Sequence, residues 1–251
     1  MSIARRLAAL EPILKAQQGA LEPSVYGVID GVDMIDGKIV PNVIRKWEGT
    51  IGNMLPSDRE PSILLVEKFE PFILKTKKYK CIFGGRGGMK SMFAQNVMVG
   101  DVNSAGTKCY ILRERMKSLK DSIYSGIVKA VKDMRVGGFL PVPSKWEVRN
   151  SNGGGFVFGG MQNILDMKGA SNFKRFLSEE AENTSQKTID TLGPTLRGVD
   201  GAELWYLWNP RSSNDPMSKE FIVPYQEHID RDGLYEDEHH LILKVGLEDN
   251  P

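Results

Sequence analysis

The chain has 251 residues, 41% of them hydrophobic and 26% charged, and 33 Lys and Arg against 32 Asp and Glu leave a formal net charge of +1. Those proportions suit a soluble globular protein with room for one large α/β domain or two small ones. They exclude a basic field over the whole molecule, so any nucleic-acid contact has to come from a local patch.

The opening segment 1-MSIARRLAALEPILKAQQ-18 has the basic start of a targeting sequence, but Glu11 and Pro12 interrupt its apolar part. The spacing predicts an amphipathic surface helix. No run reaches the ~20 apolar residues a membrane span needs, so no membrane partner is expected. Residues 20–60 are rich in Gly, Pro and Asp, with short apolar pieces such as 24-SVYGVID-30 and 38-KIV-40. They predict an irregular N-terminal extension, residues 1–60, with room for a hairpin.

From residue 61 to 251 the pattern becomes an alternation of strands and helices. The runs 79-YKCIFGG-85, 108-KCYILR-113, 173-FKRFLS-178 and 203-ELWYLWN-209 predict strands, although Lys174, Arg175 and Ser178 make the third less apolar than a central strand should be. Between the first two lies a helical stretch, 90-KSMFAQNVMVGD-101. A second helix is predicted over 117–134, where Ile123, Ile127, Val131 and Met134 recur at helical spacing. Such an order builds a parallel sheet covered on both faces. One insertion reads as antiparallel: in 145-KWEVRNSNGGGFVFGG-160 two alternating runs meet at the turn pair Asn152 and Gly153, which predicts a β-hairpin.

Cys81 and Cys109 both fall in apolar runs and read as reduced core thiols, which points to a cytosolic setting. His228, His239 and His240 have no metal-ligand spacing with either cysteine, and 236-EDEHH-240 reads as a solvated loop.

The stretch 84-GGRGGMKS-91 carries the chemistry. A phosphate-binding loop needs inward-facing backbone N–H groups, glycines that permit the turn and a helix N-terminus aimed at the anion. It also needs a lysine for the outer phosphates and a hydroxyl for magnesium. Gly84, Gly85, Arg86, Gly87, Gly88, Met89, Lys90 and Ser91 match that pattern except at Met89, where a glycine is usual. A residue just before the lysine is expected near helical φ/ψ, and an unbranched methionine there is expected to turn away from the phosphates. Alone, the loop is equally a structural turn. Downstream, 176-FLSEEAEN-183 is an apolar run ending in two carboxylates. On a strand parallel to the loop's own, Glu179 would face a bound magnesium and Glu180 would polarise a water for attack on the γ-phosphate.

The order GGRGGMKS, 110-YILRERMKSLKDSIYSGI-127, 152-NGGGFVFGGMQN-163, MKG, FLSEEAE, TLR and 207-LWNP-210 resembles the ATPase half of a large terminase subunit, the DNA-packaging motor of tailed bacteriophages. The resemblance covers roughly residues 62–251. It implies an α/β P-loop NTPase fold of ASCE/RecA-like type, a mostly parallel sheet flanked by helices and carrying the hairpin insertion. It implies hydrolysis of ATP with Mg2+ by a homo-oligomeric ring, a pentamer on the portal, around double-stranded DNA in the host cell cytoplasm. Portal protein and small terminase subunit are the other implied partners.

By that resemblance Lys90 contacts phosphates, Ser91 and Glu179 hold the metal, and Glu180 is the catalytic carboxylate. Arg86 is similar to an arginine that senses the γ-phosphate in cis. Lys168 and Arg113 are candidates for a basic residue reaching a neighbouring subunit's site, and Asn209 resembles a coupling residue. Longer relatives continue into a nuclease domain, so no nuclease activity is expected of residues 1–251. Two other readings stay open: another ring-forming P-loop NTPase such as a helicase, and a docking module with little ATPase of its own. Met89 favours the docking module, whereas the Glu179–Glu180 pair with Asn209 favours the motor.

Overall fold

The computed structural model describes residues 23–35, 38–50, 62–113, 123–160, 172–195 and 199–247. The helix expected over residues 1–18 and the first part of that over 117–134 lie outside them. Strands β1 (Pro23–Ile35) and β2 (Lys38–Thr50) pair antiparallel, so the extension does contain a hairpin. Strand β3 (Ser62–Val66) joins β1 in parallel and completes a three-stranded sheet.

After a short helix α1 (Glu70–Leu74) the main sheet begins with β4 (Tyr79–Gly84), which runs into helix α2 (Lys90–Ala105) and strand β5 (Lys108–Arg113). Helix α3 (Ser125–Asp133) precedes three strands, β6 (Phe139–Val142), β7 (Glu147–Asn150) and β8 (Gly155–Gly160). Strand β9 (Arg175–Glu179), helix α4 (Gln186–Thr195) and strand β10 (Glu203–Trp208) follow. Helices α5 (Pro216–Phe221) and α6 (Gln226–Asp232) then lead to β11 (Leu234–Glu236) and β12 (His240–Val245).

The nine strands stand in the order β11-β12-β4-β10-β9-β5-β8-β7-β6. The six from β12 to β8 are parallel, and β11, with the β6–β7 pair, closes the edges antiparallel. The predicted hairpin is β7–β8, and it extends the main sheet, because β8 also pairs in parallel with β5.

Period-2 alternation along these strands builds a core on each face. Trp205 and Leu207 of β10, with Ile82, Ile111 and Leu177, pack under α2 and α3. Leu204, Tyr206 and Trp208, with Phe83, Leu112 and Phe176, pack under the helices that follow β9 and β10. All six residues of β10 are buried, as a central parallel strand requires.

The polar residues of the 173–178 run have a structural reason. Arg175 opens β9 and its Nε donates to Asp101 Oδ2 of α2 at 2.8 Å, with Glu203 Oε2 at 3.4 Å. Glu203 Oε2 is also 2.9 Å from Lys80 Nζ and accepts from Trp205 Nε1 at 2.9 Å, while Lys80 donates to the Phe72 carbonyl at 2.7 Å. The network sits where β4, β9 and β10 begin, away from the strand ends that carry the site. Burial pulls the Lys80 ammonium down to about 8, against the opposing pull of Glu203. A charged residue is thus tolerated in a central strand because its partners arrive from α2 and β10.

Helix α2 stops at Gly106, which adopts a left-handed φ of 62° and donates its N–H to the Val102 carbonyl at 3.1 Å. The carbonyls of Val102 and Asn103 accept from Asn152 Nδ2 at 2.8 and 2.9 Å. The hairpin turn therefore also caps the helix that the phosphate-loop candidate begins. Among the described residues no helix is long and apolar enough to cross a membrane.

Candidate active site

Strand register brings the described candidate residues to the edge of the sheet formed by the carboxyl ends of its strands. Phe83 of β4 is opposite Trp208 of β10, and Leu207 of β10 is opposite Glu179 of β9. The loop after β4, the Glu179–Glu180 pair after β9 and Asn209 after β10 thus leave the sheet side by side. In open α/β sheets the carboxyl ends of the strands are where ligands bind. Strand β10 stands between the loop strand and the carboxylate strand.

Residues Gly85 to Met89 form the connection from Gly84, the last residue of β4, to α2. Gly84 has φ +141°, and a Cβ there would come within 1.8 Å of the Val245 carbonyl oxygen. Gly87 has φ +85°, and its Cβ would meet Leu247 Cδ1 at 2.9 Å. Val245 at the end of β12 therefore braces the loop from behind and a side chain at Gly84 would push it off, whereas at Gly87 it is the positive φ that favours glycine. Lys90 opens α2, half-buried, and its Nζ donates to the carbonyls of Gly84 at 3.1 Å and Gly85 at 2.6 Å. Burial lowers the Lys90 pKa, and Glu182 opposes that shift. Ser91 is exposed in the first turn, and Arg86 is exposed at the loop's tip.

Met89 departs from expectation in its backbone. Its φ is 53° and its ψ 6°, a left-handed conformation, where helical values were expected. That explains why glycine is the usual residue here: an L side chain at such φ is strained by ~1–2 kcal/mol. The Met89 side chain is half-buried and packs against the apolar cluster under α2, in keeping with a side chain turned away from the ligand.

Glu179 ends β9 and is 7% exposed. Its Oε1 accepts from Gln95 Nε2 of α2 at 3.0 Å. Glu180 is exposed and takes φ 51°, ψ 42° as it caps a 3-10 turn over Ala181–Asn183. The Asn183 N–H and Nδ2 both donate to its carbonyl, at 3.1 and 3.3 Å. A glutamate held in a left-handed conformation is a local strain of the kind that collects at functional sites. Of the four non-glycine residues with positive φ among those described, Met89 and Glu180 lie at this edge.

Asn209 is half-buried, and its Oδ1 has no hydrogen-bond partner among the described residues. The backbone beyond it is fixed by Asp215, whose Oδ2 accepts from the N–H groups of Arg211 and Ser212 at 3.0 and 2.9 Å. Arg113 is the last residue of β5, opposite Gly160, at the same edge of the sheet; its side chain lies outside the described residues, as does Lys168.

Two residues at the site escaped the sequence reading. Glu182 has Oε1 3.6 Å from Arg211 Nη2, while its buried Oε2 lacks a partner among the described residues. Gln95 is the other, and its signal was present: a polar residue four positions after Ser91, within an apolar helical stretch. Among the described residues no group of three or more His, Cys, Asp or Glu could hold a metal alone. The Ser91 hydroxyl and Glu179 carboxylate are hard oxygen donors, which fits magnesium shared with phosphate oxygens.

A sequence model of the family described as phage terminase large subunit matches residues 76–251. No individually curated protein matches the chain. Among solved structures, the large terminase of a thermophilic bacteriophage in complex with ATP-gamma-S is 14% identical, with a TM-score of 0.55 over 73% of this chain. The Phi-28 gp11 DNA packaging motor is 15% identical over 71% of this chain, with a TM-score of 0.52. The N-terminal domain of the DNA packaging ATPase from bacteriophage phi29 is 14% identical over 73%, with a TM-score of 0.52. The chain spans 45% of the first, 59% of the second and 97% of the third. At these identities the likeness speaks for the fold, a P-loop NTPase with a mostly parallel central sheet.

Proposed function

The chain belongs to the phage terminase large subunit family, and from that premise we propose that it hydrolyses ATP to drive double-stranded DNA into a prohead. The observation that carries this reading is the convergence of Gly84–Ser91, Glu179 and Glu180 at one edge of the sheet, two strands apart. In this reading the loop N–H groups and the α2 N-terminus bind the β- and γ-phosphates. Lys90 leaves the Gly84 and Gly85 carbonyls to place its charge on the phosphate oxygens. Ser91 and Glu179 hold Mg2+, which when bound neutralises charge on the phosphates. Glu180 accepts a hydrogen bond from a water and takes its proton. The water oxygen bonds to the γ-phosphorus as the bond to the bridging oxygen breaks, leaving ADP and phosphate.

Arg86, exposed at the loop tip, is the proposed sensor of the γ-phosphate in cis. Arg113 and Lys168 are the candidates for action across a subunit boundary in a homo-oligomeric ring, for which a pentamer on the portal is the proposed form. A basic residue supplied in trans contributes ~10³-fold or more in related phosphoryl transfers, so the isolated subunit should turn over slowly. Asn209, whose Oδ1 has no partner among the described residues, is the proposed coupling residue. Residues 61–251 form the proposed ATPase domain and 1–60 its extension, with β3 tied by pairing to the latter. Small terminase and portal complete the proposed partners, in the host cytoplasm.

Phosphate release is the direct test. Glu180→Gln should retain ATP binding within about threefold and lose turnover by about 10²-fold or more, the scale of a general base. Turnover equal to wild type would remove Glu180 from the mechanism.

A further inference from the structure

We infer that Gln95 is a positioning residue that orients the Glu179 carboxylate for metal binding, and that Gly126 keeps the space in which it does so. The inference rests on the nucleotide reading above. Gln95 and Glu179 are 8% and 7% exposed, and the amide Nε2 donates to Oε1 at 3.0 Å. Gln95 lies one helical turn beyond Ser91 on α2, so the helix that presents the hydroxyl also presents the donor that grips the carboxylate. A donor fixed on one carboxylate oxygen sets the plane in which the group would meet the metal or its water shell. The bond is charge-assisted and shielded from water, so it resists rotation of the side chain better than an exposed contact would.

The other side of Gln95 is closed by α3. A Cβ added to Gly126 would lie 2.7 Å from Gln95 Oε1 and 2.9 Å from its Nε2. Gly126 is the second residue of α3, where alanine would be the better helix former. Helix propensity therefore does not account for a glycine here, whereas the close approach of the Gln95 amide does. The atom that a new methyl group would displace is the end of a flexible side chain, so Gly126→Ala should move the amide and leave the backbone in place.

The test uses the full chain, with ADP and with Mn2+ as a paramagnetic probe for the metal. Gln95→Met keeps the length and volume of the side chain and removes the donor; Gly126→Ala displaces the donor from a different helix. Mn2+ affinity of the ADP complex, read from the free-ion resonance, should fall about 10- to 100-fold in Gln95→Met. It should fall in the same direction, by about threefold or more, in Gly126→Ala. Affinity for ADP in excess chelator should stay within about twofold of wild type, since the loop itself is untouched. Unchanged Mn2+ affinity in Gln95→Met overturns the inference. So does an equal loss of ADP affinity with and without metal, which marks a general loosening. Wild type that binds no ADP under either condition overturns the nucleotide reading, and the inference with it.

Discussion

Met89 sits where the loop demands a left-handed residue, at φ 53°. An unbranched side chain tolerates this at a modest cost and recovers part of it by packing against the cluster under α2. Met89→Gly removes strain and packing together, so stability should stay within about 1 kcal/mol of wild type. A β-branched side chain has no such escape. Met89→Ile should therefore lower ATP affinity about tenfold or more by forcing the loop out of shape, a change that calorimetric titration reads directly. Equal affinity in Met89→Ile and wild type would mean that the loop does not require this φ. Nothing in the sequence shows a dihedral angle, and the reading of Met89 as near-helical failed for that reason; the packing of its side chain against apolar neighbours was legible because a methionine beside apolar residues has somewhere to go.

The hairpin β7–β8 and helix α2 stabilise one another through Asn152, whose Nδ2 donates to the last-turn carbonyls of Val102 and Asn103. Asn152→Ala leaves both carbonyls without this donor and should lower unfolding free energy by about 1–2 kcal/mol in denaturant titration. A loss below about 0.3 kcal/mol would show that water replaces the cap fully. The four strands read from apolar runs and the hairpin read from its Asn-Gly turn were legible because both signals are local. The place of 173–178 at the centre of the sheet was harder to read. Its Arg175 looks unsuited to a central strand until Asp101 and Glu203 are seen beside it, and they come from 74 positions upstream and 28 downstream. The bracing of Gly84 by Val245 is hidden in the same way. Glu182 is a single polar residue with no motif to announce it, and Gln95 had only its place four positions after Ser91 in an apolar helical stretch.

Over the whole molecule, the buried ionisable groups set how stability depends on pH. Burial raises the Cys81 and Cys109 thiols well above their ordinary value, so the unfolded chain ionises them first and stability falls as pH rises past about 9. Lys80 acts oppositely: held near 8 when folded, it loses its proton before the unfolded chain does, and stability rises between about 8 and 10.5. The thiols and the buried lysines thus pull the pH dependence in opposite directions above pH 9, each by at most about 1.4 kcal/mol per pH unit. Tyr206, raised by burial, adds to the loss above 10. In thermal unfolding, Cys109→Ala should make the slope of stability against pH less negative between pH 9 and 10, whatever its effect on stability at pH 7. A slope unchanged by that substitution would remove the thiols as its cause.

The central claim is that Gly84–Ser91 forms a working nucleotide site in spite of Met89. Isothermal titration of ATP with magnesium into wild type and Lys90→Ala tests it in one comparison. The account predicts one ATP per chain in wild type and a loss of about 1.5–3 kcal/mol of binding free energy in Lys90→Ala, the range of a hydrogen bond to a charged group. Wild type that binds no ATP, or a Lys90→Ala variant that binds it equally well, would contradict it.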